Sequence, residues 1–227
     1  NRQTLIKMIE RLDHEIGRIL KALNDEKLVD NTLVILTSDN GGEQKIARNL
    51  PLSGAKQMLS EGGIRVPLIL HWPAMLPAGQ EFSMPISAMD LTATIATAAG
   101  VKPAPSKLFD GVDLVPALKG KLDLDYDRPL FFRRRNVSVR EGLNAIRQSA
   151  VRKGDWKYLR TYRPVGSGKY QTALYNIKRD ISEKKNVAAA YPEVVKGMSD
   201  LLGQWEHEMS KTAESFPEVL PRKKTRK

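Results

Sequence analysis

An apolar run that stops on an acid, an amide and two glycines constrains this chain most: Thr32-Leu33-Val34-Ile35-Leu36-Thr37-Ser38-Asp39-Asn40-Gly41-Gly42. An apolar run of strand length bounded by turn residues reads as a buried strand of a parallel sheet. In open α/β sheets, ligands bind beyond the carboxyl ends of such strands. Asp39 and Asn40 would then offer two hard oxygen donors of the kind that Ca²⁺ or Mg²⁺ takes. The plain alternative is a turn, because Asx side chains bond nearby backbone and glycine tolerates positive φ. The strand end by itself leaves both readings open.

At 227 residues the chain can form one large domain or two small ones. No run reaches the length of a membrane-spanning helix. The opening residues, Asn1-Arg2-Gln3-Thr4, carry no initiator Met and lack the basic-then-apolar pattern of a secretory signal, as expected of a mature piece or a fragment. Zero cysteines exclude a disulfide, a thiolate metal site and a cysteine nucleophile within these residues. The net charge of +11 is unevenly spread. Residues 1–125 hold 14 Lys and Arg against 15 Asp and Glu, whereas residues 126–227 hold 23 against 11. Such asymmetry suggests two regions with different tasks and a basic surface able to face a polyanion. The basic tail, residues 222–227, reads as a solvated end.

Leu5, Ile9, Leu12, Ile16, Ile19, Leu20 and Leu23 fall at helical spacing, which predicts an amphipathic helix over residues 4–23. Helix followed by buried strand is half of an α/β unit. Residues 43–60 read as a loop, and Glu61-Gly62-Gly63 as a tight turn into a second strand over 64–70. Pro67 cannot donate to a ladder and marks an edge or bulge there. A helix is expected over 88–99, stopped by Gly100. Beyond a boundary near residues 123–128 come strand-like segments at 129–134, 145–151, 156–162 and 173–177, punctuated as in an antiparallel meander. A last helix starts at Pro192 and sets Val195, Met198, Leu202, Trp205 and Met209 on one stripe.

Ser38-Asp39-Asn40-Gly41, then Lys56, then Glu61-Gly62-Gly63-Ile64-Arg65-Val66-Pro67 together resemble the sulfatase family of the alkaline phosphatase superfamily. Asp90-Leu91-Thr92-Ala93-Thr94-Ile95, Arg152-Lys153-Gly154-Asp155-Trp156-Lys157-Tyr158 and Leu174-Tyr175-Asn176-Ile177-Lys178-Arg179-Asp180 extend the likeness through nearly the whole chain. The resemblance implies that Asp39 and Asn40 are metal ligands, usually for Ca²⁺ with Mg²⁺ as the alternative. It implies that Lys56 binds the sulfate group, where a cation offsets negative charge on the sulfuryl oxygens. Arg65 reads as an internal charge partner.

The family's nucleophile is a formylglycine made from the Cys or Ser of a Cys/Ser-x-Pro-x-Arg motif. Here the Ser-x-Pro at Ser83-Met84-Pro85-Ile86-Ser87 has Ser where Arg is required. No residue of this chain is therefore assigned as the catalytic nucleophile, and the formylglycine is expected upstream. The aspartate pair that completes the family's metal shell is also not found. His14, His71 and His207 pair with no nucleophile by spacing, and Arg133-Arg134-Arg135 is surrounded by no nucleic-acid module.

The expected fold is α/β: residues 1–125 form part of an alkaline-phosphatase-like α/β/α layered domain, and residues 126–227 a small antiparallel sheet with a covering helix. The implied function is metal-dependent hydrolysis of sugar or aryl sulfates in the complete protein, with this piece inactive alone. Its partners would be a sulfated small molecule or polysaccharide and the remaining N-terminal part of the same protein, with no nucleic acid or membrane. The family habit implies a periplasmic or secreted location. Two alternatives stay open: a phosphate- or phosphonate-ester hydrolase of the same superfamily, and a non-catalytic polyanion-binding module. Without neighbouring strands, the segment around 32–37 is expected to expose apolar faces.

Overall fold

A computed structural model describes residues 1–101, 109–121, 124–136, 146–162 and 169–214. The charged tail at 222–227 and the first residue of the strand expected from 145 lie outside them.

The chain opens with α1 (Arg2–Asp25), whose N-cap Asn1 accepts a hydrogen bond from the Thr4 amide at 3.0 Å. Its polar side carries the ion pairs Arg11–Glu15, Arg18–Glu15 and Lys21–Asp25. The opposite, apolar stripe is present as expected, yet no residue of α1 is buried. Ile9, Leu12 and Ile19 are 56%, 58% and 63% exposed. The expected exposure of apolar faces is therefore found, and it is greatest on this helix.

The strand that follows, β1 (Val34–Thr37), departs from expectation in two ways. It pairs antiparallel, not parallel, with β2 (Leu68–His71), and it is half-buried to exposed, not buried. A two-stranded sheet has no third strand to enclose β1, so Leu36 and Ile69 stay open at 42% and 57%. The Glu61-Gly62-Gly63 turn is instead a single helical turn, α2 (Glu61–Ile64), and the second strand begins only at Leu68. Pro67, with no amide to donate, closes the non-ladder stretch between them, and its carbonyl accepts from the Thr37 hydroxyl at 2.9 Å.

The next helix, α3 (Ala88–Ala98), starts at a capping box: Ser87 accepts from the Met89 amide, and Asp90 reaches back to the Ser87 amide at 2.7 Å. The fully buried Asp90 also accepts from the Val112 amide and, at 2.7 Å on each oxygen, from both terminal nitrogens of Arg128. Burial pushes its carboxyl upward, but the Arg128 guanidinium and the two amides outweigh this and hold it below the ordinary carboxylate value. One acid thus fixes the start of α3, the loop at 110–114 and the residue that leads into the second sheet. A one-turn helix, α4 (Val115–Leu118), follows the loop.

The second sheet is a meander of β3 (Leu130–Asn136), β4 (Ile146–Lys153), β5 (Trp156–Tyr162) and β6 (Tyr170–Asn176), all antiparallel in chain order. Its register sets Phe131, Val151, Tyr158 and Leu174 directly opposite one another. That row packs on α5 (Pro192–Glu214), where Met198 and Leu202 complete the buried core. Trp205 stacks on Phe131 with ring centres 5.0 Å apart and planes 2° from parallel. Each fully buried side chain of this size contributes roughly 1.5–3 kcal/mol. The expected meander and covering helix are both observed. Strand alternation sends Lys157 to the face away from Tyr158, and hence away from α5.

Candidate active site

The turn at the end of β1 is held by backbone groups together with the side chains of Ser38 and Asn49. The Ser38 hydroxyl donates to the Asn40 carbonyl at 2.8 Å, tightening the turn. The Gly41 amide donates to the Gly63 carbonyl of α2 at 2.9 Å. A Cβ on Gly41 would lie 1.7 Å from the Gly62 carbonyl oxygen, so only glycine permits this approach. Gly42 is clamped on both sides: its amide donates to Asn49 Oδ1, and its carbonyl accepts from Asn49 Nδ2. The same carbonyl accepts the Lys56 amide at 3.0 Å.

That last bond matters most for chemistry. It brings Lys56, sixteen residues beyond Asn40 in sequence, against the strand end that presents Asp39 and Asn40. Asp39 and Lys56 are exposed and Asn40 is half-buried. No hydrogen bond or ion pair with another described residue engages any of these three side chains. The Lys56 backbone is thus tied to the turn that carries Asp39 and Asn40, and the three side chains have no partner among the described residues.

Hard cations take oxygen ligands of these types, and Ca²⁺ takes about six to eight of them. Asp39 and Asn40 fit as part of such a shell. Among the described residues, no three His, Cys, Asp or Glu side chains gather as a metal cluster. The three histidines are all exposed and stand on α1, β2 and α5.

Gly62 and Gly63 serve space, not a turn of unusual φ. A Cβ on Gly62 would meet the Ser53 and Gly54 carbonyl oxygens at 2.5 and 2.6 Å, and one on Gly63 would meet that of Met58 at 2.1 Å. Backbone packs on backbone here, which lets α2 lie against the Asp39-Asn40 turn. Arg65 is a charge partner, 3.6 Å from Glu61, but its side chain is 48% exposed and so not internal as expected.

Sequence reasoning missed what stands behind α2. Glu61 is 1% exposed and Lys157 is fully buried; their charged atoms lie 3.0 Å apart. Glu183 completes a triad, 2.9 Å from Lys157, and its other oxygen accepts from the Glu61 amide and the Ser53 hydroxyl. No local signal marked it, because Lys157 alternates with Trp156 and Tyr158 just as a solvent-facing lysine would.

Comparison with known proteins identifies the family. The family model described as "Sulfatase" matches residues 1–101, and the one described as "N-sulphoglucosamine sulphohydrolase, C-terminal" matches residues 55–208. The chain belongs to the sulfatase family. It is 40% identical to the N-acetylgalactosamine-6-sulfatase of Sus scrofa over 135 residues, 57% of this chain and 25% of that protein. It is 30% identical to the steryl-sulfatase of Homo sapiens over 242 aligned positions, 92% of this chain and 41% of that protein. The crystal structure of Ps i-CgsB in complex with k-i-k-neocarrahexaose superposes with a TM-score of 0.77 at 34% identity, covering 90% of this chain and 43% of that one. The chain therefore spans between a quarter and somewhat over two-fifths of the relatives it resembles. Its structural neighbours are sulfatases with the alkaline-phosphatase-like α/β fold, to which the small antiparallel sheet is appended.

Proposed function

We propose that the complete polypeptide carrying this chain is a metal-dependent sulfuric ester hydrolase of sulfated saccharides. Asp39, Asn40 and Lys56 are this chain's share of its active site. The observation that supports the reading is the Lys56 amide bonded to the Gly42 carbonyl, which ties the Lys56 backbone to the turn that carries Asp39 and Asn40.

In that site the Asp39 carboxylate and the Asn40 carbonyl oxygen would hold Ca²⁺, or Mg²⁺ in its place. When bound, the metal supplies positive charge next to the sulfuryl oxygens. Lys56 would donate from its ammonium group to the sulfate or to the departing oxygen, where negative charge grows as the S–O bond breaks. The rigid Gly41-Gly42 backbone keeps these groups from reorganising during the reaction, which is where electrostatic stabilisation gains its size. The nucleophile would come from the N-terminal part of the same protein, which would also cover α1 and the open sheet. Two observations favour a sulfated polysaccharide over a small aryl sulfate. One is the surplus of 23 Lys and Arg over 11 Asp and Glu beyond residue 125. The other is the resemblance to a sulfatase named for N-acetylgalactosamine 6-sulfate chemistry.

Inorganic sulfate release from sulfated oligosaccharides and from a chromogenic aryl sulfate tests this. The complete polypeptide is expected to release sulfate, to lose activity with a chelator and to regain it with Ca²⁺. The 227-residue chain alone is expected to release none. Turnover by the chain alone, or chelator-resistant turnover by the complete protein, contradicts the reading.

A further inference from the structure

The buried triad does more than join two parts of the chain, because an unbroken relay of short contacts runs from it to the candidate site. Glu183 is held to Lys157 at 2.9 Å and takes the Glu61 amide at 2.7 Å, fixing the first residue of α2. Lys157 grips the Glu61 side chain at 3.0 Å, fixing the same residue from its other end. Ser53 donates its hydroxyl to Glu183, and its carbonyl accepts from the Gly62 amide at 2.7 Å. The Gly63 carbonyl then takes the Gly41 amide, and the Gly42 carbonyl takes the Lys56 amide. Each step is a backbone group or a buried charge, so little of the relay can shift independently.

Two further facts show that the fold maintains this arrangement at a cost. Lys157 and both carboxylates are at most 3% exposed, and taking such groups out of water is unfavourable unless every one is paired. Glu183 is also one of three non-glycine residues at positive φ among the described residues, at 51°, a left-handed conformation that side chains with a Cβ resist. A strained backbone and a buried ion triad at one spot, directly behind the glycine contact of the Asp39-Asn40 turn, call for a task.

We propose that Glu183 and Lys157 are positioning residues, acting through Glu61 and the Gly62-Gly63 backbone to fix Asp39, Asn40 and Lys56. The C-terminal sheet is thereby a working part of the site although it contributes no group that touches substrate. This inference rests on the functional reading of Asp39, Asn40 and Lys56 given above.

Hydrogen exchange on the 227-residue chain tests it first. Glu183→Gln keeps the side chain's volume and one acceptor but removes a counter-charge from Lys157. The Gly41 and Lys56 amides, both donors in the relay, are expected to exchange about tenfold faster or more, while amides of β5 and α5 keep their protection. Unchanged exchange at Gly41 and Lys56 overturns the proposal, and so does an equal rise across β5 and α5, the mark of a mere staple. Should Glu183→Gln fail to fold, Ser53→Ala, which removes only one donor to Glu183, is expected to give a smaller rise at the same two amides; no rise overturns the proposal.

Calcium affinity of the complete polypeptide, measured by calorimetry, supplies the second readout. Glu183→Gln is expected to weaken it about 10- to 100-fold, as loss of groups behind metal ligands commonly does. Asp39→Ala checks the underlying reading separately. If Asp39→Ala leaves calcium affinity and turnover intact, the functional reading fails whatever the exchange shows. If Asp39→Ala abolishes both while Glu183→Gln alters neither exchange nor affinity, only the positioning role fails.

Discussion

The two halves of this chain obey the same hydrophobic patterning and end in opposite conditions. In the C-terminal sheet, every strand contributes to one row, Phe131, Val151, Tyr158 and Leu174, and α5 closes over it with Met198 and Leu202. In the N-terminal half, α1 carries an equally regular apolar stripe and buries none of it. The difference lies not in the quality of the pattern but in whether its partner is at hand. A self-contained unit and an unfinished one are joined by a buried ion triad and by the Asp90–Arg128 pair. Apolar area left in water contributes nothing to stability, so most of the folding free energy should reside in the C-terminal half.

Five substitutions break or sharpen that contrast. The largest effect is expected from Leu202→Ala, at a fully buried position: about 2–5 kcal/mol of unfolding free energy in a denaturant titration. Ile9→Ala on α1, an equally apolar truncation, should stay within about 0.5 kcal/mol. Equal losses at the two positions would abolish the distinction between the halves.

Asp90→Asn follows, with an expected loss of roughly 1.5–3 kcal/mol because Arg128 keeps its charge without its partner. Its pH dependence has a fixed sign. The native carboxyl lies below its ordinary value of 3.8, so the unfolded chain takes up the proton first. The stabilisation is complete above that ordinary value and fades as pH falls through the lower native one. The deficit of the variant should therefore be constant near neutrality and shrink below about pH 4. A deficit that grows on acidification would show that Asp90 is not the anion of this pair.

Gly63→Ala places a Cβ 2.1 Å from the Met58 carbonyl oxygen and should cost about 1–3 kcal/mol. The accompanying rise in hydrogen exchange at Gly41, its direct partner, would show the contact between α2 and the Asp39-Asn40 turn loosening. The smallest effect is expected from Lys21→Ala. It removes an exposed pair on α1 and should change stability by less than about 0.5 kcal/mol, less still in high salt.

What could be read from the sequence divides along the same line. The meander and α5 were legible because alternation and helical spacing coincide there with real burial; the strand over 156–162 was read to the residue. The apolar run at 32–37 was read as buried and parallel, since a run of apolar residues reports neither direction nor how many strands stand beside it. The helical turn of α2 was illegible because Glu-Gly-Gly has poor helix propensity, and contacts from far away in sequence hold it. Glu183 lies 122 residues from Glu61, so no local pattern could pair them. For the site itself, the residue types Asp39, Asn40 and Lys56 were legible as candidates. Their convergence through the Gly42 carbonyl was not.

Sulfate release by the full sulfatase polypeptide carrying Asp39→Ala or Lys56→Ala tests the central claim most directly. Each variant is expected to keep the unfolding midpoint of the parent and to lose at least about 100-fold in kcat/KM on a sulfated saccharide, the scale on which removing one charge-stabilising group acts. Parent-like kcat/KM in both variants would contradict the assignment and return Ser38-Asp39-Asn40-Gly41 to an ordinary turn.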